Sequence, residues 1–409
     1  MSRRDFIAAA SVAGLLPAVT GTTLADTTQS ASTMWAPAKA LDAAMDDAVA
    51  SGRIVGTSVV AAQNGNIVYQ RAAGFKDREA REPAGIDDVF RLASMTKPIV
   101  CVTALALVDA GRLTIDDPVT RWLPDFRPKL TDGRQPIITI RHLLTHTAGL
   151  GYGFLEPEDG SYHRLKISDG LDRSGLSLGE NVARIASAPL LFEPGTAWHY
   201  SVAIDVLGAV IEQVTGTTLA QAVRAIVTGP LGMTSVDFIA SAARPPATPY
   251  GDASPEPVRM TEPFTLKFGR SGIVYSPARA FDEAAFFSGG VGMVGTAHDY
   301  LRFAEAMRTG GPGIIRPETV AAMTQNAIGD LQVSAGPGFG WGLGVQILLD
   351  PAKAGSPVTA GAWNWSGVYG TNFWVDPAKA TSVVVLTNTA VAGMTGEFPL
   401  AIRRAVYAA

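Results

Sequence analysis

The sequence predicts an α/β fold of the α+β kind, a central antiparallel sheet built from both ends of the chain with helices between. Three observations carry this expectation. Residues 57–62 and 67–72 are strand-like runs joined through Asn64-Gly65, a pair that tolerates the positive φ of a tight hairpin. Residues 371–375 and 382–386 flank Asp376-Pro377-Ala378-Lys379 and read as a second hairpin. Between them helical patterns dominate, as in 201–214 and 218–227, each followed closely by a glycine. At the start, Leu41, Met45 and Val49 recur at i, i+4 and i+8 and predict an amphipathic helix over 40–51. At the end, 398–407 reads as a terminal helix. The expected organisation is a discontinuous α/β domain from 38–111 and 285–409, with a mainly helical domain at 112–284.

The 409 residues are 47% hydrophobic and 17% charged, enough to bury a sizeable core and too few charges for a disordered chain. A net charge of −4 with no basic block argues against a nucleic-acid partner, since phosphate binding needs clustered Lys and Arg. Cys101 is the single cysteine, which excludes an internal disulfide and any multi-cysteine metal site.

Residues 1–25 read as an export signal, with 26–37 as a linker. Ser2-Arg3-Arg4-Asp5-Phe6-Ile7 has the Ser-Arg-Arg-x-Phe-aliphatic pattern of a twin-arginine signal, followed by a weakly apolar run. An ordinary secretory signal or a membrane anchor are the other readings; Gly14, Pro17 and Gly21 make a poor spanning helix. The expectation is a periplasmic or secreted protein without a stable membrane anchor.

Three local patterns compete for the chemistry. His142 and His146 stand at i, i+4, but the zinc-protease pattern needs Glu after the first His, and Leu143 stands there. A structural pair bonding the turn at 147–149 explains them better than a metal. Gly175-Leu176-Ser177-Leu178-Gly179 matches the G-x-S-x-G nucleophile elbow, yet no buried strand precedes it. Ser177 with Glu180 three residues on reads better as a helix capping box, which makes the elbow match a decoy.

Ser94-Met95-Thr96-Lys97 has better surroundings. An apolar run follows, with Pro98 suited to the first turn of a helix. Ser94 then lies at a helix N-terminus, which favours an oxyanion, and Lys97 points the same way one turn on. A buried lysine loses its proton near neutral pH and serves as a base without histidine; the plain alternative is a capped helix with a solvated Lys. Downstream, Tyr200 is presented from a turn before a helix, either as a proton carrier or as a packed aromatic. Gly367, at a strand edge, lets a substrate approach backbone whose N–H would complete an oxyanion hole with that of Ser94.

Together these segments resemble the serine β-lactamase and penicillin-recognising superfamily, and most of all its class C β-lactamase and family VIII carboxylesterase branch. The resemblance runs from about residue 38 to the end. It rests on 90–97, Leu143-Leu144-Thr145-His146-Thr147-Ala148-Gly149-Leu150, 192–201, 289–296, Gly340-Trp341-Gly342-Leu343-Gly344 and 365–377. It implies a β-lactamase-like fold with the site between an α/β and a helical domain. It also implies Ser94 as nucleophile, Lys97 as base, Tyr200 as second proton carrier, and the N–H groups of Ser94 and Val368 as oxyanion hole.

Two departures bear on the substrate. Trp365-Ser366-Gly367 stands where true β-lactamases and peptidases carry Lys-Thr/Ser-Gly, so an aromatic wall replaces an ammonium that would bind a carboxylate. In Tyr200-Ser201-Val202, Val202 replaces the Asn that would grip a side-chain amide. Trp365, Ser366, Gly367 and Val202 are therefore the expected substrate-contacting positions, and a neutral small-molecule ester the expected substrate. No metal or organic cofactor is called for. β-Lactamase, D-amino-acid peptidase, linear-amide hydrolase and acyltransferase share this chemistry, and a silent penicillin-binding scaffold is the non-enzymatic alternative.

Overall fold

The computed structural model describes residues 35–408; the expected leader at 1–25 and the expected linker through residue 34 lie outside the described residues. Asn64 and Gly65 take φ of 53° and 81° and reverse the chain between β1 (Gly56–Gln63) and β2 (Asn66–Asp77). The sheet is extended by β3 (Glu82–Pro83) and, from the far end of the chain, by β4 (Phe339–Trp341), β5 (Gln346–Leu348), β6 (Trp363–Gly367), β7 (Thr371–Asp376) and β8 (Thr381–Thr387). These eight strands run β4-β5-β6-β7-β8-β1-β2-β3, every neighbour antiparallel. The β1–β8 pairing, Thr57 opposite Thr387 and Gln63 opposite Thr381, joins the two ends of the sequence.

Because strand side chains alternate, the sheet feeds two cores. Val59, Ala61, Trp374, Val383 and Val385 face α1 (Ala38–Ala50) and a C-terminal helix, Glu397–Tyr407, where Leu41, Met45, Phe398 and Ile402 are buried. The buried stripe of α1 continues through Ala48 rather than Val49. Val60, Ala62, Phe373, Val384 and Leu386 enter the larger core on the opposite face. There they meet α2 (Thr96–Asp109), whose residues 96–105 are all buried, as expected for a helix apolar on every side. The other helices that matter for the site are α3 (Leu178–Ser187), α4 (Ala203–Thr215, closed by Gly216 at φ 70°) and α5 (Ala297–Arg308). The expected helix at 218–227 is Leu219–Val223 running on into a π turn at Arg224–Thr228. No helix among the described residues is long and apolar enough to cross a membrane.

Candidate active site

Ser94 lies in a short turn, Ala93–Met95, just ahead of α2. Bonds from three elements hold that turn. Thr371 Oγ1 of β7 donates to Leu92 O (3.0 Å), Leu92 N donates to Met293 O (2.9 Å), and Tyr300 OH of α5 donates to Met95 O (2.9 Å). Ala93 is held at φ 46°, in the left-handed region; such strain costs about 1–3 kcal/mol and persists only where the surroundings impose it. A Cβ on Gly367 would strike Leu92 O and come within 3.1 Å of Ala93 Cβ. The glycine therefore admits β6 against the turn that carries Ser94.

Lys97 is completely buried beneath Ser94. Its Nζ reaches Ser94 Oγ at 3.3 Å, Tyr152 OH at 2.9 Å and Gly290 O at 2.8 Å. Three contacts match the three donors of an ammonium; a neutral amine can keep two and accept a proton from Ser94 with its lone pair. Burial pulls the Lys97 pKa down to about 7, while Asp205, Cys101 and Asp169 pull it back up. Asp205 is buried in α4, its Oδ1 accepting from Ser288 Oγ (2.6 Å) and Gly290 N (3.3 Å). Burial raises its carboxyl, with the bond from Ser288 and the charge of Lys97 opposing. Gly290 separates these groups: a Cβ there would lie 2.7 Å from Asp205 Oδ2 and 2.9 Å from Tyr152 OH.

Tyr200 faces Lys97 with its ring, 4.6 Å from Nζ to the centroid. Burial raises its phenol above the ordinary value, opposed by Ser94 and Trp365, and burial likewise raises Tyr152. Both phenols are neutral in the resting site, so Lys97 is the group poised to take a proton near neutral pH. An aromatic wall extends outward: Trp365 stacks edge-on against Trp341 (centroids 4.5 Å apart), with Tyr200 at 5.2 Å from Trp365. His146 packs against Tyr200 at 4.9 Å and bonds Ser201 Oγ through Nδ1 (3.1 Å); burial keeps it neutral. His142 accepts from Thr139 N (3.2 Å) through its ring in a capping box, and its backbone carbonyl, rather than its ring, bonds the turn at 147–149 by accepting from Thr147 N (3.0 Å).

Ser94, Tyr200, Trp365, Ser366 and Val368 line one cavity of about 500 Å³, together with aromatic and aliphatic residues such as Phe154, Trp198 and Phe268. None of its lining residues is Asp, Glu, Lys or Arg, and burial lowers the pKa of His199, its one histidine. Gly370 N donates to Gly367 O (2.9 Å), while Tyr275 OH and Val391 N hold Val368 O at 3.0 and 3.2 Å. With its own peptide carbonyl tied back, the trans geometry turns the Val368 N–H to the other side. Ser94 N, at the start of a helical turn, is among the donors a helix leaves unpaired.

Neither Lys97 nor Gly367 lines this cavity. Val202 is fully buried at the start of α4, its N–H donating to Gly151 O (3.1 Å), and does not line the cavity. It leaves out a contact rather than making one. Sequence reading missed Tyr152, Asp205 and Gly290. Asp205 had a signal, a lone acid early in an apolar helix; Tyr152, after the glycine turn at 149–151, had only its position. Among the described residues no three His, Cys, Asp or Glu side chains form a metal-binding group.

An antiparallel sheet backed by helices, with a buried serine–lysine pair at the head of a core helix, defines the penicillin-recognising class of proteins. The chain belongs to the Beta-lactamase family, whose profile matches residues 41–406. It is 49% identical over 372 residues, 90% of this chain and 94% of the relative, to esterase EstB of Burkholderia gladioli. It is 28% identical to a lovastatin esterase of Penicillium rubens over 71% of this chain and 73% of that one. The solved structure of EstCE1, described as a hydrolase with promiscuous acyltransferase activity, superposes with a TM-score of 0.89 at 44% identity, covering 91% of this chain and 98% of that one. These similarities accord with the β-lactamase-like fold and the family VIII carboxylesterase resemblance.

Proposed function

We propose that this protein is a serine hydrolase that cleaves neutral carboxylic esters of short-chain or aryl type through an acyl-enzyme. The observation that carries this reading is the uncharged, aromatic cavity of about 500 Å³ opening on Ser94. Such a volume suits a small organic molecule, and a substrate carboxylate would find no cation among the lining side chains.

In this reading Ser94 Oγ attacks the acyl carbon while its proton passes to neutral Lys97, and the oxyanion is held by the N–H groups of Ser94 and Val368. Lys97, now an ammonium, returns a proton through the Tyr200 phenol to the leaving oxygen as the C–O bond breaks. The alcohol departs and leaves Ser94 acylated. Water then attacks the acyl carbon along the same proton route, releasing the acid and restoring the serine. Tyr152 and Gly290 hold the Lys97 amine in line with Ser94 throughout. The apolar cavity also favours a second reading, in which an alcohol replaces water as acyl acceptor; ester formation in the presence of added alcohol tests it. The leader motif at 2–7 supports export through the twin-arginine route to the periplasm or beyond.

The test is kcat/KM for p-nitrophenyl butyrate and nitrocefin, in wild type and Trp365→Lys. The wild type should strongly prefer the ester. An ammonium at 365 should move the ratio towards nitrocefin by roughly ten- to a hundredfold, the size of one charge-assisted hydrogen bond. Equal turnover of both substrates by the wild type would overturn the ester reading.

A further inference from the structure

Arg91, three residues before Ser94, and Arg279 line a narrow cleft with about 20 Å³ of free space. Both are only 9% exposed. A guanidinium does not lose its proton, so each brings a full charge into the interior, where an unpaired charge is costly. Neither is within ion-pair distance of a carboxylate among the described residues. Arg91 donates to Ala247 O (2.9 Å) and Pro277 O (2.8 Å), and its buried Nε has no partner among the described residues. Arg279 donates to Asp172 O (2.9 Å) and Phe286 O (2.5 Å).

The acids facing the pair are already engaged. Glu262, towards Arg91, accepts from Ser276 Oγ (2.5 Å) and Ala278 N (2.7 Å). Towards Arg279, Asp282 pairs with Arg173 (2.7 Å), Asp172 accepts from Ser168 Oγ, and Asp205 is bonded to Ser288 beside Lys97. Tyr369 completes the cleft, its ring 5.7 Å from the Arg91 guanidinium. Free space of this size admits one water-sized or monatomic species and is too small for sulfate or phosphate.

We propose that this cleft binds a monatomic anion, chloride, between Arg91 and Arg279. The cleft is also lined by Val291, Gly292 and Met293. The segment 291–293 follows Gly290, whose carbonyl holds Lys97, and Tyr369 follows Val368. A halide there braces the backbone behind both the base and the oxyanion donor.

Thermal unfolding of the full-length protein in sodium chloride should show a saturable rise of roughly 2–5 °C over sodium gluconate at equal ionic strength. Crystals soaked in bromide should give an anomalous peak between the two guanidiniums. Arg91→Gln should abolish the chloride-specific rise. Arg279→Gln is the second variant should the first not fold, and the wild-type bromide peak depends on neither. An equal rise in gluconate, or no bromide peak in the cleft, overturns the proposal. No ester assay enters the test, so its outcome is separate from that of the proposed hydrolase.

Discussion

Ser177 and Ser94 both sit in letter patterns associated with nucleophilic serines, and the structure gives them opposite surroundings. Ser177 is exposed at the N-cap of α3; Glu180 N donates to its Oγ at 3.2 Å, and the Ser177 backbone N–H and hydroxyl donate back to Glu180 Oε2 at 2.8 and 2.7 Å. That is a closed capping box, complete without a substrate. Ser94 is 4% exposed at the floor of an apolar cavity, within 3.3 Å of a buried amine whose pKa burial has brought to about 7. A carboxylate beside a solvated hydroxyl stabilises a helix end, whereas an amine stripped of water becomes a base. What separates the two serines is desolvation of the partner.

The comparison yields its largest expected effect at Ser94. Ser94→Ala should reduce ester turnover by about 10⁴-fold or more, since in the proposed mechanism it removes the atom that carries the acyl group. It should unfold at nearly the wild-type temperature, and an active, folded Ser94→Ala protein would break the assignment.

Next come the proposed proton carriers. Lys97→Met and Tyr200→Phe should each lower kcat by about 10²–10⁴-fold, the usual contribution of general acid–base catalysis. Stability should move the other way for Lys97→Met, because the native site no longer buries an amine. A loss of comparable size in a stable His199→Ala enzyme would return the base role to histidine.

The pH dependence sharpens the contrast further. Ester kcat/KM should rise about tenfold per pH unit below 7 and level off above it, as Lys97 loses its proton. The same shift has a stability consequence. Lys97 titrates at about 7 in the folded protein and near 10.4 when unfolded. Between those values the unfolded chain binds more protons, so this lysine makes the protein more stable as pH rises from 7 to about 10. Urea midpoints of wild type and Lys97→Met across that range should converge; parallel curves would mean that Lys97 is not desolvated.

The smallest effect belongs to Ser177. Ser177→Ala should keep full activity and lose only a cap, about 0.5–2 kcal/mol of stability by urea titration. An inactive yet folded Ser177→Ala protein would restore the elbow as the catalytic motif.

Much of the site was legible because its key groups are local. Ser94 and Lys97 are one helical turn apart, so their common face follows from periodicity once 98–105 is read as a buried helix. The two hairpins were legible for a similar reason, Asn64-Gly65 and the 376–379 turn being short-range signals. A close backbone approach does occur at Gly367, and the chain that makes it is Leu92, 275 positions back. The two histidines were read as structural; the Thr139 partner of His142 lies within local spacing, whereas Ser201 lies 55 positions from His146 and no local pattern points to it.

By itself the sequence determined the α/β class, the serine–lysine pair and the capping role of Ser177. All of these depend on residue identity or on spacing within a few turns. Only the tertiary structure decided that Lys97 is dry, that Tyr152 and Gly290 hold its amine, that Asp205 stands as its counter-charge, and that the cavity wall carries no charge. Desolvation and Coulomb interaction depend on distance in space, and the groups that set them here come from stretches up to about 200 residues apart.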